Sequence, residues 1–291
     1  MGEALITWYL PEHITHLYYS AVYATLSSDQ KLAYNRLHAC YHCEMCAFLE
    51  GELPRYYLKA VAAPHIPVRL RRDAQALADS EKWHAAAFRA LARRISPELY
   101  SNSKDENVFV RPPSALSRIL RKVLDWPALR PTFLWIALIQ EERGTFFGEE
   151  VLRVSERLDP QMVDWQRRHL ADETDHLSLG EALLPLYWDA SPAWVRRLNG
   201  RLLRFVLREF LSAPKRSGVR VIEYLVKGCP ELTPRKAELL SAMRALDRNA
   251  RFHESLYSRK IVPRTFALFD RYVEFRNLGK SLWGYSPEAH P

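Results

Sequence analysis

The 291 residues are 48% hydrophobic and 26% charged, which excludes an intrinsically disordered chain and leaves room for one large domain or two small ones. Four cysteines are too few for a disulfide scaffold and fit a reducing cytosol, and no apolar run reaches the roughly 18 residues of a membrane span. A net charge of +8 and a pI near 9.3 point either to an anionic partner or to a basic solvated surface. Ten glycines and the absence of sustained apolar–polar alternation favour helices. No leader is visible, and Met1-Gly2 lacks the Ser or Thr of a myristoylation site because Ile6 stands there. A soluble cytoplasmic protein with no membrane partner is expected.

In chain order, Trp8, Tyr9, Tyr18, Tyr19 and Tyr23 mark an N-terminal strap with a short helix. Ser27-Ser28-Asp29 then caps a first long helix, predicted to run to about Gly51. Glu44 lies in its middle among apolar neighbours, whereas Glu50 and Glu52 fall near its end, where exposure costs less. Cys40, Cys43 and Cys46 have the x2 spacing of a metal or cluster site, but they share one helical segment, and cluster-binding cysteines need loops that wrap the metal. Packing is the expected role. Pro54 to Pro67 reads as a connection with a short helix, and residues 68–95 as the second long helix, carrying Glu81-x-x-His84.

Residues 96–112 read as an irregular excursion, 114–124 as a helix and Trp126-Pro127 as a turn. The third long helix is predicted from about Pro131 to Leu158; it is apolar all round before Gln140-Glu141-Glu142. Asp159-Pro160 opens the fourth, predicted to about Tyr187 with a kink near Gly180 and Pro185. Further helices are predicted from Pro192 to about Leu211, ended by Ser212-Ala213-Pro214, then over 217–228, over 233–257 and from Pro263 to Asn277. One all-α domain is expected over 1–291, with a bundle core over about 28–187 and a helical extension over about 190–277.

The fourth helix carries His169-x-x-x-Glu173-x-x-His176. At about 100° per residue, Glu173 lies roughly 40° to one side of His169 and His176 roughly 20° to the other, so one face aims two imidazoles and a carboxylate at one point. Across the four helices the order is Glu44, then Glu81-x-x-His84, then Glu142 or Glu141, then Glu173-x-x-His176. A carboxylate followed by E-x-x-H, twice over, is the arrangement of di-iron and di-manganese four-helix bundles. Bridging carboxylates damp the charge of two divalent ions, and one imidazole per ion leaves positions open for dioxygen. The candidate ligands are therefore Glu44, Glu81, His84, Glu142, His169, Glu173 and His176. The spacing to His169 favours Glu142 over Glu141. His169 is an additional nitrogen donor, and Asp172 could orient a ligand histidine from behind.

This set resembles that of the p-aminobenzoate N-oxygenase (AurF-type) di-iron oxygenases. The strings Trp8-Tyr9-Leu10-Pro11, Tyr34-Asn35-Arg36-Leu37-His38-Ala39 and His84-Ala85-Ala86-Ala87-Phe88-Arg89 are similar too, and the resemblance covers residues 8 to about 185. It implies a ferritin-like bundle that uses two Fe ions, O2 as co-substrate and an external electron donor. The implied reaction takes an aryl amine through the hydroxylamine toward the nitro group in a biosynthetic pathway. Ser80, before Glu81, departs from the acidic residue common at that position in di-iron proteins.

Phe48, Trp83, Leu138, Thr145 and Phe146 are the candidate lining of a substrate pocket. Arg197, Arg201, Arg204 and Arg208 form one stripe, either a solvated face or a dock for an acidic carrier protein, a phosphate-bearing substrate or RNA. The expected partners are a small-molecule substrate, anionic or carrier-protein-bound, and a redox partner. A homodimer stays open, and nucleic acid is not expected. Two other activities would use the same ligands: a di-iron C–H hydroxylase and a non-catalytic ferritin-like iron-handling protein. A basic helical nucleic-acid-binding protein with an incidental acid–histidine network would bind no metal.

Overall fold

The computed structural model describes residues 7–101, 107–110, 118, 119, 122, 125–210, 216–280 and 282–287. Most of the helix expected over 114–124, and the stop at Ser212-Ala213-Pro214, lie outside them. The chain is all-α. Four long helices form the core: α1 (Ser28–Val61), α2 (Val68–Ile95), α3 (Arg130–Arg153) and α4 (Pro160–Trp188). Helix α1 packs along α2 and α3 along α4; α2 also lies against α4, and α1 against α3. The result is a closed four-helix bundle. Among the described residues no helix is long and apolar enough to cross a membrane, and no strand is present beyond one bridge between Trp8 and Leu158.

Local chemistry accounts for the helix starts. Ser27 and Gln30 cap α1 reciprocally, each side chain accepting from the other's backbone N–H. Asp159 caps α4 through Met162 N and is also bound by Arg94 of α2. The N-terminal strap is clasped to α1 by Asn35, whose Oδ1 accepts from Tyr9 N and Leu10 N while its Nδ2 donates to Leu10 O. Gly148 of α3 lets α4 approach closely: a Cβ there would meet Leu170 Cγ at 2.7 Å.

Helix α1 does not stop at Gly51. It continues through Pro54 for another ten residues. Pro54 removes one intrahelical hydrogen bond, but Leu53, Tyr56, Tyr57, Ala60 and Val61 are buried beyond it, and their packing holds the helix together. This correction moves Glu50 from a helix end into the middle of the bundle. Helix α3 is shorter than expected and gives way to a single 3-10 turn at Ser155–Arg157. Helix α4 runs unbroken through Gly180 and Pro185.

The C-terminal third covers α3 and α1. It comprises α5 (Ala193–Phe210), α6 (Ser217–Gly228), α7 (Lys236–Ala245), α8 (Ala250–Leu256) and α9 (Pro263–Arg271). The helix expected over 233–257 is therefore broken in the middle, where Asn249 caps α8 through Phe252 N. The last helix ends at Arg271 and short 3-10 turns follow. Asn199 of α5 receives the N–H and hydroxyl of Thr132 at the start of α3. Trp135, Trp188, Phe269 and Phe275 pack ring against ring to join α3 and α4 to the extension.

Candidate metal centre

All four core helices send polar side chains to one buried place. Glu50 comes from α1, Glu81 and His84 from α2, Glu141 from α3, and His169, Glu173 and His176 from α4; every one is buried. They fall into two groups, Glu50 with His84 and His169, and Glu81 with Glu141 and His176; within each, one nitrogen or oxygen per residue lies within 4.8 Å of the others. Glu173 stands between the groups. Its Oε1 is 2.9 Å from Nε2 of His169 and 3.8 Å from Nδ1 of His176.

Two imidazoles are held from behind. Nε2 of His84 lies 3.0 Å from Oδ2 of Asp172. Nε2 of His176 lies 3.0 Å from the hydroxyl oxygen of Ser80, which donates its own hydrogen to Leu77 O. In each ring this leaves Nδ1 toward the centre without a hydrogen-bond partner. Both oxygens of Glu81, one oxygen each of Glu50, Glu141 and Glu173, and Nδ1 of His169 are also buried without one. Nδ1 of His176 is 3.0 Å from Oε1 of Glu81 but lacks hydrogen-bond geometry. Such a concentration of unsatisfied polar atoms is costly in a plain core. The donor set and the unused atoms fit divalent cations, and both groups could hold one.

The electrostatics agree. Burial pushes the carboxyl of Glu50 up to about 8 against the pull of His169. Burial, together with Glu173 and Glu81, pushes Glu141 well above the carboxylate range. Burial also opposes ionisation of Glu173, but His169 outweighs it and holds Glu173 low. Burial disfavours charge on His169, yet Glu173 and Glu50 prevail and hold its pKa up at about 10. An imidazolium thus offsets part of the carboxylate charge that a metal would otherwise neutralise. Burial and His169 push His84 down to about 4, keeping it neutral.

Five of the seven expected ligands meet here: Glu81, His84, His169, Glu173 and His176. Glu44 and Glu142 do not, because backbone donors take them. Glu44 accepts from Val108 N, Phe109 N and Val110 N at 2.7–2.8 Å and from the Tyr100 hydroxyl at 2.8 Å. Glu142 accepts from Arg264 N at 2.6 Å and Thr265 N at 2.9 Å, capping α9. Glu50 and Glu141 stand in their places. A signal for Glu50 was present in the spacing: Glu50 to Glu81 is 31 residues and Glu141 to Glu173 is 32, a closer match than the 37 from Glu44.

The cysteines pack as expected. Cys40 and Cys43 are buried, Cys40 Sγ donates to Ala92 O at 3.7 Å, and burial pushes its thiol up to about 12. The expected substrate residues scatter. Leu138 is buried beside Gly180, the Thr145 hydroxyl donates to Glu141 O, Phe48 is half-buried, and Trp83 is 50% exposed beside Trp165.

One hollow reaches the centre at His176, and a second contains none of its residues. A groove of about 510 Å³ between α2 and α4 is lined by Asp73, Ser80, Asp172, Asp175 and His176, with Arg69 at its side. A cavity of about 380 Å³ lies between α3, the strap and the segment after α8, lined by Arg143, Phe146, Phe147, Glu150 and Lys260. Phe147 stacks on His42 at 3.7 Å, and Phe88 lies between His42 and His169. Glu150 is engaged by Arg153 and His13, whereas Arg143 lies over the ring of Tyr257. On α5, Arg197, Arg201 and Arg208 are exposed among Trp194, Leu198 and Phe205, and Arg204 is half-buried.

No family model matches this chain, and no curated protein matches it either.

Proposed function

We propose that this chain is a non-haem di-iron oxygenase that uses dioxygen to N-oxygenate a small aryl amine. The observation that carries the reading is the pair of buried donor groups, whose residues together with Glu173 bury eight polar atoms without a hydrogen-bond partner. The resemblance of the His169-x-x-x-Glu173-x-x-His176 helix and the paired E-x-x-H motifs to AurF-type enzymes narrows it to N-oxygenation. Two irons bound there would supply the electrons for the first reduction of dioxygen, and an external donor would restore them.

The protein's own part is positioning and exclusion. Glu173 faces both groups, so it is placed to be shared. Asp172 and Ser80 fix which nitrogen of His84 and His176 turns inward. Phe88 and Trp165 pack against His169 and keep water from that side. An anionic substrate suits the cavity at Arg143 and Lys260 better than the groove, whose Asp73, Asp172 and Asp175 would repel it.

The test is iron stoichiometry after anaerobic Fe(II) loading, followed on the same sample by oxygen uptake with aryl amines. Two irons per chain and amine-dependent oxygen consumption with an N-oxygenated product are expected. Two irons with uptake coupled to hydroxylation of carbon would make it a C–H hydroxylase. Two irons without uptake would make it an iron-handling protein, the reading that the acidic groove favours. No bound iron would overturn the proposal.

A further inference from the structure

The two halves of the centre exchange support. Asp172, the residue before Glu173 on α4, holds His84 of α2, and Ser80, the residue before Glu81 on α2, holds His176 of α4. The positions correspond, but the chemistry differs. Behind His84 stands a carboxylate. Behind His176 stands a neutral hydroxyl whose hydrogen is already given to Leu77 O. The inner donors differ as well. Glu50, His84 and His169 offer two imidazoles and one carboxylate; Glu81, Glu141 and His176 offer one imidazole and two carboxylates.

Both differences act in the same direction. A carboxylate behind an imidazole makes it a stronger donor, and such partners are typically worth about 10–100-fold in metal affinity. Nitrogen-rich sets favour zinc, cobalt and iron, and oxygen-rich sets suit manganese and magnesium. We propose that the two positions are unequal and sort metals: Glu50/His84/His169 fills first and prefers zinc or cobalt, Glu81/Glu141/His176 fills second and accepts manganese, and Ser80 is the positioning residue that keeps the second position weak. This rests on the two-metal reading above.

The experiment titrates the metal-free full chain with Co(II), followed by visible absorption, and with Zn(II) against a chromophoric chelator. A chain given one equivalent of Zn(II) is then titrated with Mn(II) and followed by electron paramagnetic resonance. Two steps at least about tenfold apart are expected, with one manganese bound beside one zinc. Asp172→Asn should weaken the first step by about 10–100-fold and spare the second. Ser80→Asp, which the groove has room to accept, should tighten the second and narrow the gap. Asp175→Asn, exposed in the same groove, should change neither, and circular dichroism checks that each variant folds. Two indistinguishable steps in the parent chain, or unchanged steps in both Asp172→Asn and Ser80→Asp, would overturn the inference and leave the two-metal reading standing. One bound ion or none would overturn both.

Discussion

Nε2 of His169 on α4 lies 3.1 Å from Oε1 of Glu50 on α1, although 119 residues separate them. The same nitrogen is 2.9 Å from Glu173. Glu50 is therefore the acid that α1 contributes to the centre, and Glu44 instead holds residues 108–110 and Tyr100. The first prediction separates the two. Glu50→Gln should keep the fold and lose metal at the Glu50/His84/His169 position. Glu44→Ala should keep the metal stoichiometry of folded chain and lower stability by about 2–5 kcal/mol, because three backbone N–H groups and a tyrosine hydroxyl lose their acceptor. Metal analysis beside urea unfolding reads both; the opposite pattern would restore Glu44 to the site.

Glu141 and Glu142 make a second pair. Successive helical residues point about 100° apart, and here one faces the centre while the other caps α9. Glu141→Ala should reduce loading at the Glu81/Glu141/His176 position. Glu142→Ala should cost about 0.5–2 kcal/mol through the lost cap and leave metal content unchanged. A metal-binding defect in Glu142→Ala at full folding would contradict the assignment.

A third prediction concerns acid. His38 is buried under the strap, where its Nε2 receives the N–H of His16 at 3.4 Å, and burial pushes its pKa down to about 3. The unfolded chain binds a proton at His38 near pH 6.5, and the folded chain does not until about pH 3. The stability due to neutral His38 is present above pH 6.5 and is lost as pH falls toward 3, at about 1.4 kcal/mol per pH unit at most. His38→Gln keeps an acceptor and removes the proton site. Between pH 6.5 and 4 the parent chain should lose stability relative to this variant in urea titrations. A constant difference would mean that His38 is charged in the fold.

The fourth prediction tests the cavity as the place for an anionic substrate. Arg143→Met keeps an apolar stem and removes the guanidinium that lies over Tyr257. Affinity for small aromatic carboxylates, measured calorimetrically, should fall by about 10–100-fold, the usual worth of a hydrogen bond to a charged group. Equal affinity would remove this cavity from the proposed function.

The architecture was legible because it rests on patterns that survive tertiary context. Long helical periodicity marked the four core helices, and the x-x spacing of Glu81 with His84 and of Glu173 with His176 marked two faces that had to meet. His169 followed from its angle to Glu173. Glu50 was only half legible: its spacing to Glu81 pointed to it, but Gly51 and Pro54 weaken a helix locally, and only the buried residues from Leu53 to Val61 carry α1 through them. Glu141 was ambiguous for a different reason. The first half of α3 is apolar on every side, so the sequence marks no face from which to choose between adjacent acids. Ser80 stood out as a departure from an expected acid, but that it holds His176 depends on how α2 and α4 approach each other, which no local pattern encodes.

The indoles of Trp83 and Trp165 lie 5.1 Å apart, and Trp165 lies 5.8 Å from His84 and 5.7 Å from His169, ring centre to ring centre. A paramagnetic ion held by those imidazoles would sit close enough to quench the emission of Trp165, while zinc would leave it bright. Trp83, 5.5 Å from His84, would respond to the same ion. Half-exposed Trp83 adds a second channel, since a dissolved quencher can reach it from the surface. If the Glu50/His84/His169 group takes a metal, the protein would carry its own fluorescent gauge of it, readable in real time and without a label.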